Sequence, residues 1–112
     1  MSTVTTSDLA AVHADGSAQV VDVREPAEFV TGHVPSAASI PMGQLVDRLT
    51  EIDRSRPVFV ICQAGGRSSA MTDVLRHHGF DARSVEGGTA AWIAAGHPVE
   101  PIPVDLSDAE GK

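Results

Sequence analysis

The sequence predicts an α/β fold, doubly wound, with a central parallel sheet of four to five strands and helices on both faces. Two observations carry that expectation. Short apolar runs alternate with helix-like segments along most of the chain, as strand–helix–strand units require. The run Pro57–Cys62, PVFVIC, is apolar at consecutive positions, so both of its faces need cover, which is the condition of a central parallel strand.

The elements follow in order. A strand near Thr3–Thr5 and a helix over Ser7–Ala14 open the chain. The segment AQVVDVRE holds a strand near Ala18–Val23. PAEFVTG reads as a short helix, with Pro26 at its first position and Gly32 past its end. AASIP is a short strand stopped by Pro41. In GQLVDRLTEI, Leu45, Val46, Leu49 and Ile52 share one face of a helix. After PVFVIC, a helix over Arg67–His78 carries Ala70, Met71, Val74 and Leu75 as an apolar stripe, and Gly79 is placed to cap it. ARSV is a further strand, and TAAWIAAG is a last helix with Gly96 at its end.

With 112 residues the chain fits one domain, expected over residues 1–103, with an acidic flexible tail over 104–112. The formal net charge of -7 argues against a nucleic-acid or anionic-membrane surface. It leaves room for a small anionic substrate in a locally positive pocket. One cysteine forms no internal disulfide, and the N-terminal stretch has neither the basic nor the apolar segment of a secretion signal. A soluble, cytoplasmic protein is the expectation. The five histidines are scattered, and His77 and His78 are adjacent on a helix and point apart. No ligand set for a metal is visible, and no cofactor is called for.

The chemistry concentrates in CQAGGRS. Cys62 ends the most apolar strand, where ligands bind in open α/β sheets. Gln63, Ala64, Gly65 and Gly66 follow, and Arg67 opens the next helix. The glycines permit a tight loop whose N–H groups turn inward, and the helix adds its own free N–H groups. A cup of this kind binds an anion and has a thiol at its floor. A thiol of pKa near 8.5 is only about 3% ionised at pH 7, and a helix dipole alone does not change that much. Amide hydrogen bonds and the Arg67 guanidinium are expected to supply the rest. Ser68 either donates to the sulfur or caps the helix. The bland alternative, a buried structural cysteine before an ordinary turn, leaves the glycine pair and the arginine unexplained.

Four pieces taken together, VVDVREPAEFVTGHVPSAASIP, CQAGGRS and VEGGTAAW among them, resemble the rhodanese family of sulfurtransferases over about 80 residues. The resemblance implies a doubly wound α/β domain and a cysteine that carries a sulfane sulfur as a persulfide. By position, Cys62 resembles the nucleophile, and Gln63, Ala64, Gly65, Gly66 and Arg67 resemble the loop that holds the terminal sulfur. Ser68 resembles the helix residue that follows. Many family members have a basic residue where this chain has Gln63. Asp22, Arg24 and Glu25 look like supports beside the site. Asp22 is expected to hydrogen-bond to loop backbone, and Arg24 to pair with Glu25. His33 looks like a turn stabiliser and Trp92 like core.

The implied partners are a small anionic sulfur donor, such as thiosulfate, and a thiol or cyanide as acceptor. A protein donor or acceptor fits the same chemistry. Two rivals remain. One is a binding or redox-sensing module on the same fold. The other is a small phosphatase or arsenate reductase, whose loops carry one more residue between cysteine and arginine than the four found here.

Overall fold

The computed structural model describes residues 3–101. Strands β1 (Thr3–Val4), β2 (Gln19–Asp22), β3 (Ala38–Ser39), β4 (Val58–Ile61) and β5 (Ala82–Val85) form one sheet. Helices α1 (Thr6–Asp15), α2 (Pro26–Phe29), α3 (Gly66–His77) and α4 (Gly88–Ala94) connect or flank them. The sheet order is β1-β5-β4-β2-β3 and every pairing is parallel. The five strands match the upper end of the expected count. The proposed tail, 104–112, lies outside the described residues.

β4 is the central strand, and all four of its residues are buried. Strand geometry sends its side chains alternately to the two faces. Val58, Val60 and Cys62 join Val21, Ile40, Leu45, Leu75 and Ala82 in one core layer. Phe59 and Ile61 join Leu9, Val20, Val85 and Trp92 in the other. α3 therefore covers one face, and α1 and α4 cover the opposite one. In the register, Val60 stands between Val21 of β2 and Ser84 of β5. Cys62 follows directly at the carboxyl end.

Two expectations need correction. Residues 43–52 do not form one α-helix: Met42–Gln44 and Val46–Glu51 are 3-10 turns. Arg48 leaves helical angles (φ -117°, ψ 21°) and bonds to Gln44 and Glu51 on either side. Leu45 and Ile52 are buried as expected, whereas Val46 is 56% exposed. The buried line of α3 is Ser68, Thr72 and Leu75, with Met71 and Val74 half-buried beside it. Ala70 is exposed. At 100° per residue, a position two residues from both Ser68 and Thr72 faces away from the sheet. Among the described residues, no helix is long and apolar enough to cross a membrane.

Candidate active site

The β4–α3 turn is built around Gly65. It caps α3 with φ +116°, a left-handed value that glycine adopts without strain. That turn aims the Gly65 amide back at the preceding strand end, where its N–H donates to Cys62 Sγ at 3.0 Å. Ser68, in the first turn of α3, brings its Oγ to 3.5 Å from Sγ. The same Oγ lies 3.1 Å from the Gly65 carbonyl oxygen and 2.8 Å from Ser84 Oγ on β5.

Cys62 is only 1% exposed, at the floor of the cup. Burial alone pushes its thiol pKa up. The Ser68 hydroxyl and the backbone amides of Ser68, Gly65 and Ala64 oppose this, and their sum leaves the pKa below its ordinary value. Hydrogen bonds to the charged form outweigh desolvation here. The Gly65 amide faces the sulfur, and Ser68 both approaches the sulfur and bonds within its own turn.

A second turn holds the loop from behind. The Thr89 amide donates to the Cys62 carbonyl at 2.8 Å, and Thr89 Oγ1 donates to the same oxygen at 3.0 Å. The Ala90 amide donates to the Gln63 carbonyl at 3.0 Å. The bond to the Gln63 carbonyl fixes the peptide whose N–H belongs to Ala64, and the bonds to the Cys62 carbonyl anchor the strand end. Gly88 makes this approach feasible. A Cβ there would run into the Cys62 carbonyl oxygen and come within 2.7 Å of the Gln63 carbonyl carbon.

The flanking charges differ from expectation. Arg24 does not pair with Glu25. It reaches Asp22 through Nε at 3.0 and 3.1 Å and through Nη2 at 2.8 Å, and both residues are buried. Residues two apart on an extended chain share a side, which brings these two together and sends Glu25 to solvent. Nor does Asp22 reach the 63–67 loop: its backbone partner is the Arg24 amide, at 3.0 Å. Arg24 makes the link instead, donating from Nη1 to Gln63 Oε1 at 3.1 Å and from Nη2 to the Gly32 carbonyl at 2.9 Å. The Gln63 side chain is thus tied to the rim.

Arg67 is drawn to α2. Its Nη1 and Nη2 donate to Glu28 Oε1 and Oε2 at 2.6 and 2.8 Å, in the two-pronged geometry favoured by guanidinium and carboxylate. The Arg67 hydrogen bonds, with the Glu25 amide second, hold the Glu28 carboxyl down to about 2. The guanidinium pKa moves up correspondingly, chiefly through those same bonds. His33 bonds the Phe29 carbonyl through Nδ1 at 2.8 Å and stacks on the Phe29 ring. Trp92 is buried in the core.

Cys62, Gly65 and Ser68 therefore meet, with the Ala64 amide directed at the sulfur. Gly66 begins α3, while the Gln63 and Arg67 side chains turn to other partners. Sequence reasoning missed Glu28, Ser84, Gly88 and Thr89. The available signals were a carboxylate three residues after Glu25 and a hydroxyl inside the strand ARSV.

A family model described as the rhodanese-like domain matches residues 5–95. The chain belongs to that family. A sulfurtransferase of Allochromatium vinosum is 35% identical over 81 residues, covering 71% of this chain and 76% of that one. An uncharacterized protein of Bacillus subtilis, YqhL, is 41% identical over 76 residues, 67% of this chain, and the match spans 60% of its length. A rhodanese-related protein of Thermoplasma volcanium superposes with a TM-score of 0.83 at 32% identity, over 88% of this chain and 97% of that structure. In this rhodanese-like chain, the doubly wound sheet sets a buried sulfur among inward-facing amides. That arrangement stabilises negative charge on sulfur.

Proposed function

We propose that this protein is a sulfurtransferase that carries a sulfane sulfur on Cys62. The observation that supports it most directly is the Gly65 amide donating to Sγ at 3.0 Å, in a cup whose other amides also lower the thiol pKa. The Cys62 thiolate attacks the outer sulfur of a donor such as thiosulfate. A new S–S bond forms, the donor's S–S bond breaks, and sulfite leaves with the electron pair. The terminal sulfur of the persulfide then takes the place of the anion in the cup formed by residues 63–67. An acceptor nucleophile attacks that outer sulfur and restores the Cys62 thiolate. Cyanide gives thiocyanate; a thiol gives a new persulfide.

Cys62 is the only cysteine, so nothing within the chain resolves the persulfide as a disulfide. The acceptor comes from outside. Four residues separate Cys62 from Arg67, and a cup this small favours one sulfur atom over a tetrahedral phosphate.

Intact-mass measurement tests the reading. Incubation with thiosulfate or the persulfide of a small thiol adds one sulfur atom to the protein, and cyanide removes it as thiocyanate. Cys62→Ser gains nothing. A wild-type protein that gains no sulfur from any of these donors is not a sulfurtransferase.

A further inference from the structure

We propose that Glu28 is a specificity-determining residue: by neutralising Arg67 it turns the cup away from doubly anionic donors and toward donors of little or no net charge outside the reacting sulfur. The inference rests on the sulfurtransferase reading and adds the class of donor to it.

Among the described residues, the positive charges at the carboxyl end of the sheet are already paired. Two guanidinium groups stand beside the loop, and each already has a carboxylate. Arg24 is locked to buried Asp22 and also donates to Gln63 and the Gly32 carbonyl. Arg67 is held by both oxygens of Glu28. Gln63, directly after the nucleophile, is neutral. Glu25 and Glu86, exposed just beyond the ends of β2 and β5, add negative charge and no cation. Among the described residues, the Cys62 thiolate therefore leaves the site net negative.

A dianion such as thiosulfate approaches against that field. It also has to compete with a carboxylate already seated on Arg67. A persulfide on an uncharged thiol, in its protonated form, faces neither obstacle. The Cys62 sulfur bonds to its outer sulfur, the S–S bond breaks, and the parent thiolate leaves with the electron pair. The persulfide proton stays with one of the products. Glu28 remains ionised across the neutral range, since its carboxyl is held down to about 2, so the device is constant rather than pH-switched.

Two measurements test the proposal. The first uses the wild type and two donors with the same reacting group: the persulfides of mercaptoethanol and of mercaptosuccinate. The neutral donor is expected to give a kcat/KM about tenfold higher, equivalent to about 1.4 kcal/mol. Equal values, or a preference for the dicarboxylate, overturn the proposal. The second uses Glu28→Gln, which keeps an oxygen for the Glu25 amide and for Arg67 but removes the charge. The ratio of kcat/KM for thiosulfate to that for mercaptoethanol persulfide is expected to rise about tenfold, and low salt is expected to enlarge the gain. Adding Arg67→Gln abolishes the gain. An unchanged or lowered ratio in Glu28→Gln sinks the proposal while leaving sulfur transfer intact. Absence of a persulfide from every donor sinks both.

Discussion

The β4–α3 and β5–α4 turns are built alike. Each leaves the carboxyl end of a parallel strand, places two glycines in succession, and starts a helix from a left-handed glycine, Gly65 in one and Gly87 in the other. Their amides do opposite things. Those of the first turn face Cys62 Sγ. Those of the second, from Thr89 and Ala90, are used on the carbonyls of Cys62 and Gln63. A peptide has its N–H and C=O on opposite sides, so a loop that turns N–H groups to a ligand presents carbonyls at its back. The Cys62 carbonyl is buried and needs donors. The comparison teaches that the anion cup is a property of two turns: one forms the concave side and the other satisfies the convex side.

The largest break in this arrangement is expected from Gly88→Ala. The added methyl has only loop backbone to meet, and φ of +60° already disfavours a side chain. Overpacking of this kind costs about 1–3 kcal/mol, and left-handed backbone adds about 1–2 kcal/mol. Urea denaturation is expected to show the sum. The alkylation rate of Cys62 is expected to fall with it, because the displaced loop no longer aims its amides. Full alkylation with lost stability would mean that the second turn supports the fold and not the cup.

Ser68→Ala acts on the first turn and on its link to β5. It removes the hydroxyl near Sγ and strands the buried Ser84 hydroxyl. The thiol pKa, read from the pH profile of iodoacetamide alkylation, is expected to rise by on the order of one unit, or about 1.4 kcal/mol. The sign for stability follows from linkage. The folded thiol has a depressed pKa, so between the folded and unfolded values the unfolded chain binds more protons. Unfolding free energy should therefore rise with pH across that interval and level off above it. In Ser68→Ala the rise is expected to shrink. A wild-type stability that is flat through this interval contradicts a depressed thiol.

The site was legible where local chemistry decides it. A consecutive apolar run marked β4, and a glycine pair after Cys62 marked the turn, because both properties belong to neighbouring residues. What was not legible depends on distant partners. Arg67 was expected to serve the sulfur, but its carboxylate comes from Glu28, 39 positions away. Ser84 meets Ser68 only because β5 lies beside β4. Residues 43–52 carry an amphipathic spacing that suits an α-helix, and the 3-10 turns bury two of its four apolar positions equally well. On α3, the polar residues Ser68 and Thr72 occupy the buried line, so the apolar periodicity lies to one side of it.

Thr89→Val is expected to have the smallest effect and to sharpen the comparison most. Valine keeps the shape and the backbone amide but removes one of the two donors to the Cys62 carbonyl. That oxygen stays bonded to the Thr89 amide, so no buried acceptor is orphaned. The loss is then the net worth of one hydrogen bond, about 0.5–1.5 kcal/mol in urea denaturation. Thr89→Ser should recover most of it, since the hydroxyl returns. The alkylation profile is the discriminating measurement. If the backbone amides of α4 alone hold the loop carbonyls, the Cys62 pKa in Thr89→Val stays at the wild-type value although stability falls. A pKa that rises with the lost hydroxyl would instead place the Thr89 side chain among the groups that aim the cup, and the helix start alone would not suffice as its back wall.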